Sequence, residues 1–138
     1  MYTQIHAAGS CNCGAISFSV MTPLTTVFIC HCSICRKSTG SGGIAVTVVD
    51  NEAFKYDSGV ELVRTWVKPN HDWLTNFCDI CGSPLPGKND PKRLYIPVSL
   101  LDSGYKDLEV KHHIFVDSKA SWEQIGDSGK QHKNSFIA

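Results

Sequence analysis

The residues of this chain with the clearest chemical potential are its seven cysteines, which fall into three short clusters. The clusters are Cys11-Asn12-Cys13, Cys30-His31-Cys32-Ser33-Ile34-Cys35 and Cys78-Asp79-Ile80-Cys81. Cysteines two or three residues apart can bind one tetrahedral metal ion from a tight turn, and two such turns together supply four thiolates. An odd number of cysteines also excludes complete disulfide pairing within the chain. Metal binding is therefore the leading interpretation of this pattern.

A glycine follows the second cysteine of the first and third clusters, at Gly14 and Gly82, whereas Arg36 follows the middle cluster. Glycine permits a positive φ, which lets backbone N–H groups turn toward thiolate sulfur. This difference favours a closed structural zinc site built from the first and third clusters, with the ligands Cys11, Cys13, Cys78 and Cys81. Such a site would tie the first strand to the middle of the chain and contribute several kcal/mol to folding.

The middle cluster then supplies Cys30, Cys32 and Cys35, with no fourth cysteine to complete a tetrahedral shell. Three protein ligands and one open position are typical of a catalytic zinc. Because three thiolates donate more charge than three imidazoles, such a zinc would be a weak Lewis acid and a poor source of hydroxide. The donor set suits a substrate thiol, which zinc can hold as thiolate beside an electrophilic carbonyl carbon.

Two alternatives remain open for the middle cluster. His31 or a carboxylate from elsewhere can complete a second closed structural zinc site, in which case the protein would be a non-catalytic zinc-binding interaction module. The cysteines can also be free or oxidised thiols without metal, as in a redox sensor. We expect His31 to be a neighbour of the site and not a ligand, since its side chain should point away from the two cysteines that flank it.

The composition limits the domain organisation and the partners. A chain of 138 residues that is 42% hydrophobic is long enough for one compact domain and too short for two independent cores. Its thirteen basic and thirteen acidic residues balance, so no long-range attraction to nucleic acid or to an anionic membrane is expected. The sequence predicts a single domain over residues 1–125 and a polar tail over residues 126–138. It does not predict an oligomeric state.

The N-terminal segment has neither the basic start nor the continuous apolar run of a secretory signal. No later stretch approaches the length of a membrane span. These features predict a cytoplasmic protein, in which a reducing environment keeps thiols available for metal ions.

Period-two alternation of apolar side chains dominates the secondary-structure pattern. It predicts strands at residues 15–20, 44–49, 61–67, 93–100 and 110–116, and one short helix at residues 33–39. Turn residues separate these segments, and no long amphipathic repeat is present. The predicted fold class is mostly β, with short antiparallel strands.

Four motifs together resemble the family of glutathione-dependent formaldehyde-activating enzymes, which includes the centromere protein V domain. They are GSCNCGAISF, CHCSICRKSTGS, FCDICGS and HHIFVDSKASW, and the resemblance spans roughly Gly9 to Trp122. It implies a zinc-clamped β-tent fold. It also implies a structural zinc on Cys11, Cys13, Cys78 and Cys81, and a catalytic zinc on Cys30, Cys32 and Cys35, with full occupancy expected only at the first.

The activity that this resemblance implies is that of a carbon–sulfur lyase. Glutathione and formaldehyde would be the partners, and S-(hydroxymethyl)glutathione would form reversibly. The sequence departs from the family pattern just before FCDICGS, where a basic residue is common and Thr75 and Asn76 stand here. Arg36, Lys37 or Arg64 can replace that charge, although solvated surface positions are the usual fate of such residues.

The adjacent histidines His112 and His113 belong to the last motif. They alternate across a predicted strand, so only one of them can face any given site. We expect both to occupy plain strand positions, and the motif to serve the architecture of the fold.

Overall fold

The computed structural model describes residues 2–136, and Met1, Ile137 and Ala138 lie outside the described residues. The described part contains one α-helix, α1 (Ser33–Thr39), and twelve short strands. The strands are β1 (Ala7–Ser10), β2 (Ser17–Val20), β3 (Thr26–Cys30), β4 (Ile44–Asp50), β5 (Phe54–Ser58), β6 (Val63–Val67), β7 (Leu74–Cys78), β8 (Gly87–Lys88), β9 (Arg93–Pro97), β10 (Leu101–Ser103), β11 (Glu109–Ile114) and β12 (Lys130–Gln131). The prediction of a mostly β fold is confirmed.

The strands form two sheets and one separate hairpin. The first sheet has the order β10-β1-β2-β5, the second has the order β12-β11-β3-β4-β9-β8, and β6 pairs with β7. Most pairs are antiparallel, as predicted, but β11 runs parallel to both β3 and β12. The parallel pair matters for the site, because it places the end of β11 beside Cys30, which is opposite Ile114.

The largest hydrophobic core lies between the two sheets. Phe18 and Val20 of β2 pack with Val49 of β4 and Ile96 of β9, and each of these side chains is at most 5% exposed. Full burial of an aliphatic or aromatic side chain contributes about 1.5–3 kcal/mol. Gly9 is required here, because a Cβ at this position would lie 2.5 Å from Cζ of Phe18. This core holds the sheets that carry the cysteine clusters.

Helix α1 forms where the sequence predicts it, because its start and stop signals are local. Cys32 is the N-cap, and its sulfur accepts a hydrogen bond from the backbone N–H of Cys35. Gly40 ends the helix with φ 63°, and its N–H donates to the carbonyl oxygen of Arg36 at 2.8 Å. A left-handed glycine after the last helical residue is a common stop.

The other predicted strands are present with small shifts at their ends. Residues 60–62 and 98–100 form short 3-10 helices beside β6 and β9, where the pattern predicts strand. The sequence predicts five of the twelve strands and misses the other seven. One of these is β3, whose sequence TVFIC is apolar on both faces because the strand is central in its sheet. Central strands lack the alternation on which the prediction depends.

The segment predicted as a tail contributes to the second sheet over its described part. Strand β12 pairs with β11, and the ring of Phe136 lies 4.3 Å from that of His112 between centroids. The domain boundary at residue 126 remains a prediction, and Ile137 and Ala138 of the predicted tail lie outside the described residues. Within residues 2–136, no helix has the length and apolar character needed to span a lipid bilayer.

Candidate metal centres

The first and third cysteine clusters meet in space. Cys11 and Cys13 lie in the turn between β1 and β2, while Cys78 ends β7 and Cys81 follows in the next turn. Their four sulfur atoms lie within 4.8 Å of one another. The Sγ of Cys13 is 3.6 Å from that of Cys11 and 3.8 Å from that of Cys78. The cluster has the same members as the predicted structural zinc site.

These distances fit a tetrahedral zinc ion. Four sulfurs at about 2.3 Å from one zinc lie about 3.8 Å from each other. The distances from Cys13 to its neighbours match that edge length without movement of the chain. Four thiols are also the donor set of many structural zinc sites. The residues present therefore fit a closed zinc shell.

The two turns of this group share one backbone geometry. Gly14 has φ 79° and Gly82 has φ 74°, the positive values that the sequence pattern predicts. Each glycine N–H donates to the carbonyl oxygen of the first cysteine of its cluster, at 3.0 Å to Cys11 and 2.8 Å to Cys78. The chain then reverses, so that the N–H of Ile16 points at the Sγ of Cys11, 3.4 Å away.

Ser83 connects the two turns and polarises one thiol. Its hydroxyl oxygen accepts a hydrogen bond from the backbone N–H of Asn12 at 2.8 Å, and it lies 3.2 Å from the Sγ of Cys81. The hydroxyl and then the backbone N–H of Ser83 lower the pKa of Cys81 to about 5. A lowered thiol pKa favours metal binding, because thiolate is the form that binds zinc.

The middle cluster forms a second group at the junction of β3 and α1. Cys30 is the last residue of β3, Cys32 caps the helix, and Cys35 lies in its first turn. The three sulfur atoms lie within 4.8 Å of one another. Among the described residues, no further His, Cys, Asp or Glu joins this group. Three thiols and no fourth ligand fit a zinc site with one open position.

The thiols of this second group lie close enough to shift one another's pKa. Hydrogen bonds from Cys30 and then Cys35 lower the pKa of Cys32 to about 2, and the backbone N–H of Cys35 adds to this effect. The same contact raises the pKa of Cys30 to about 11, because its proton is shared with Cys32. The thiol of Cys32 is therefore the most acidic of the three.

An aromatic wall closes one side of the group. Cys30 and Cys35 are less than 10% exposed and pack with Tyr95, while the ring of Trp73 stacks on Tyr95 at 6.0 Å between centroids. Burial, and then the nearby Cys35, raise the pKa of Tyr95 to about 12. Cys32 is only partly buried. Solvent and ligands therefore reach the group from the Cys32 side.

A cavity of about 480 Å³ lies against the outer side of α1. It separates the helix from the β6–β7 hairpin, and its lining includes Ile34, Lys37, Trp66, Lys68, Thr75 and Phe77. Trp66 is 52% exposed, so its ring is available to a ligand. The cavity combines apolar surface with two lysines, next to the helix that carries Cys35.

The three basic residues that could replace the family's basic residue near Thr75 lie in different places. Only Lys37 lines this cavity. Arg36 turns back, and its Nε donates to the carbonyl oxygen of His31 at 3.4 Å. Arg64 pairs with Asp79 at 3.1 Å, beside the first group. Sequence reasoning missed Lys68, because only the hairpin geometry brings it to the cavity.

The prediction for His113 differs from the structure. His113 is 2% exposed, and its Nδ1 lies 2.9 Å from Nε2 of His31, while its Nε2 lies 2.9 Å from Oδ1 of Asp127. It is thus more than a plain strand residue. His31 is not a member of either cysteine group, in agreement with its predicted place as a neighbour. No local signal indicates the contact, since 82 residues separate the two histidines.

Comparison with known proteins gives a family match and a similar relative. Residues 6–118 match the sequence model of the family described as glutathione-dependent formaldehyde-activating enzyme. A Halomonas elongata protein that carries the provisional name of such an enzyme is 31% identical over 125 residues, which cover 85% of this chain and 79% of the relative.

A solved crystal structure supports the fold alone. It is of a Rhodobacter sphaeroides protein and has a TM-score of 0.57 and 21% sequence identity. The match covers 69% of this chain and 87% of that protein. From the extent of the family match and the identity to the Halomonas protein, the chain belongs to the glutathione-dependent formaldehyde-activating enzyme family.

Proposed function

We propose that this protein is a zinc-dependent carbon–sulfur lyase that forms and cleaves S-(hydroxymethyl)glutathione. The observation that carries the proposal is the group of three thiols, Cys30, Cys32 and Cys35, to which no fourth described ligand belongs. The family match and the name of the Halomonas relative point to glutathione and formaldehyde as substrates.

The two cysteine groups would have different roles. Cys11, Cys13, Cys78 and Cys81 would hold a structural zinc, because four thiols complete a tetrahedral shell. Cys30, Cys32 and Cys35 would hold the catalytic zinc and leave one position for the substrate. When bound there, zinc supplies a positive centre that favours the thiolate form of a thiol.

The cavity beside α1 offers a place for the rest of the substrate. Glutathione carries two carboxylates, and the lysines Lys37 and Lys68 line this cavity. Phe77 and the exposed face of Trp66 supply apolar contact for its peptide backbone. These residues would hold glutathione with its sulfur toward the end of α1 that carries Cys32.

The reaction forms one carbon–sulfur bond and transfers one proton. The glutathione sulfur attacks the carbonyl carbon of formaldehyde, a carbon–sulfur bond forms, and the carbonyl π electrons move to oxygen. The proton that leaves the thiol ends on that oxygen, so atoms and charge balance without an oxidant. The aromatic wall of Trp73 and Tyr95 would limit access of bulk water to the reacting atoms.

We also propose a cytoplasmic location. All seven cysteines are free thiols in the structure, including the partly exposed Cys32. Free thiols and thiolate metal sites persist in reducing compartments, whereas exposed cysteines in oxidising ones tend to form disulfides.

Exchange NMR tests the activity directly. Zinc-loaded protein is expected to accelerate exchange between free glutathione and S-(hydroxymethyl)glutathione, and Cys35→Ser is expected to remove the acceleration. The control is Ser99→Ala, a small change at an exposed residue that does not line the cavity and leaves the cysteines intact. Wild-type protein with both metals bound and no acceleration would defeat the proposed substrate.

A further inference from the structure

Three of the four polar atoms of His31 are hydrogen-bonded, although it is not one of the proposed ligands; its buried Nδ1 has no hydrogen-bond partner among the described residues. Its backbone N–H donates to the carbonyl oxygen of Ile114 at 3.0 Å, and its own carbonyl oxygen accepts from Nε of Arg36 at 3.4 Å. Its ring is 2% exposed. Since His31 stands between Cys30 and Cys32, a shift of this residue would move both sulfur atoms.

The ring of His31 begins a series of hydrogen bonds that runs from two buried histidines to the 40% exposed side chain of Asp127. Its Nε2 lies 2.9 Å from Nδ1 of His113, and Nε2 of His113 lies 2.9 and 3.1 Å from the two carboxylate oxygens of Asp127. A carboxylate can only accept, so Nε2 of His113 carries a hydrogen. One further proton between the two rings completes the chain.

Asp127 is itself fixed at the end of this chain. The backbone N–H of Gly129 donates to its Oδ1 at 2.8 Å. The backbone N–H of His132, just after β12, donates to the carbonyl oxygen of His113 at 2.8 Å. This bond ties the segment that follows Asp127 to β11. Asp127 lies in the segment that the sequence predicts as a tail. Through His113, this segment is connected to His31, the residue that follows β3.

The series of hydrogen bonds approaches the three-cysteine group from the face opposite the sulfur atoms. Successive side chains of an extended segment point to opposite faces, so His31 faces away from the sulfurs of Cys30 and Cys32. It therefore does not compete for the metal position. Residues that hydrogen-bond to a metal ligand set its orientation, and their loss costs about 10–100-fold in metal affinity. Here the contact with Cys30 and Cys32 runs through the backbone of His31, which is joined to both.

From this geometry we infer that Asp127, acting through His113 and His31, positions Cys30 and Cys32 for the metal of the three-cysteine group. Asp127 and His113 are positioning residues that do not touch substrate. The inference rests on the proposed function only in that the middle cluster binds a metal.

The same strand contains a matched control. His112 is adjacent to His113 but lies on the opposite face of β11, where its Nδ1 is 3.0 Å from Nε2 of His132. This second pair has similar geometry and packs on Phe28 and Phe136. Among the described residues, no hydrogen bond or ring pair joins it to His31.

The test uses the full chain loaded with cadmium, a thiolate-binding metal that NMR can detect at each site separately. Metal affinity is measured on the same samples by competition with a chelator. His113→Phe keeps an aromatic ring and removes both hydrogen bonds, and His112→Phe makes the same change on the other face. Asp127→Ala removes the terminal acceptor, whereas Asp127→Asn keeps an oxygen that can accept from His113.

We expect His113→Phe and Asp127→Ala to weaken metal binding at the three-cysteine group by about tenfold or more and to shift its resonance. The four-cysteine resonance should stay unchanged as an internal control. Asp127→Asn should restore most of the affinity, and His112→Phe should behave as wild type. If His113→Phe does not fold, the two Asp127 variants decide the question.

Three results would overturn the inference: wild-type affinity in His113→Phe and Asp127→Ala, an equal loss in His112→Phe, or loss of both cadmium resonances together. The proposed function can fail independently of this inference. Wild-type protein that binds two metals and shows the variant effects, but does not turn over glutathione and formaldehyde, would defeat the lyase and leave the positioning role standing. A single cadmium resonance in wild type would defeat both.

Discussion

The two cysteine groups differ in how the chain assembles them. In the four-cysteine group, Cys13 and Cys78 are 65 residues apart in sequence and meet only when the first sheet and the β6–β7 hairpin are in place. In the three-cysteine group, all three cysteines come from one strand end and the helix turn that follows. We therefore expect loss of a cysteine from the four-cysteine group to unfold the protein. Loss of one from the three-cysteine group should leave the fold intact.

The largest expected effect comes from breaking the long-range group. Cys78→Ser removes a ligand that is 1% exposed, and we expect the cooperative thermal transition to disappear. Structural zinc supplies apparent binding free energy of about 10–16 kcal/mol, which is similar to the whole stability of a small domain. Circular dichroism during heating measures this.

The matched variant for that experiment is Cys35→Ser, the same substitution at a cysteine that is 4% exposed in the other group. We expect it to keep a cooperative transition. If both variants unfold alike, the proposed division between a folding site and a chemical site is wrong.

Graded metal removal sharpens the comparison. A chelator should take metal from the three-cysteine group first, because it has fewer protein ligands and an open side at Cys32. Lyase activity should then disappear while the far-ultraviolet spectrum is still native, and the fold should be lost only at higher chelator concentration. Simultaneous loss of activity and secondary structure would contradict this order.

A smaller effect is expected at the turns of the four-cysteine group. A Cβ at Gly14 would meet nothing within 4 Å, but the residue has φ 79°. Gly14→Ala should therefore cost about 1–2 kcal/mol from backbone strain alone. Gly126→Ala is the control, because its Cβ also meets nothing and its φ is not positive. Chemical denaturation of the two zinc-loaded variants gives the difference, and an equal stability would remove the argument from positive φ.

The smallest effect concerns substrate binding beside the three-cysteine group. Lys37→Ala combined with Lys68→Ala should raise KM for glutathione about fivefold with little change in kcat, since exposed ion pairs contribute about 0.2–1 kcal/mol each. The effect should shrink at high salt because exposed charges are screened. Lys88→Ala, at an exposed position of β8 outside this cavity, should leave KM unchanged. A fall in kcat alone would show that the lysines do not bind substrate.

Local signals explain what could be predicted from sequence. The N-cap at Cys32 and the left-handed Gly40 define α1, so its bounds agree with the prediction. Gly14 and Gly82 mark the two turns that meet, and the cysteine groups have the predicted members, although their zinc ligation and the boundary at residue 126 remain predictions.

Long-range contacts explain what could not be predicted. The parallel pairing of β11 with β3 brings His113 to His31. Nothing in the sequence of either strand indicates that the two strands pair. Strand β3 lacks alternation because both of its faces are covered. Lys68 reaches the cavity only through the β6–β7 hairpin.

The most direct test of the unequal division of sulfur is the zinc content of intact protein by native mass spectrometry. Four-thiolate and three-thiolate sites together predict about two zinc ions per wild-type chain and about one in folded Cys35→Ser protein. Two zinc ions retained in Cys35→Ser, or none in a folded variant, would contradict the assignment of one closed shell and one open site.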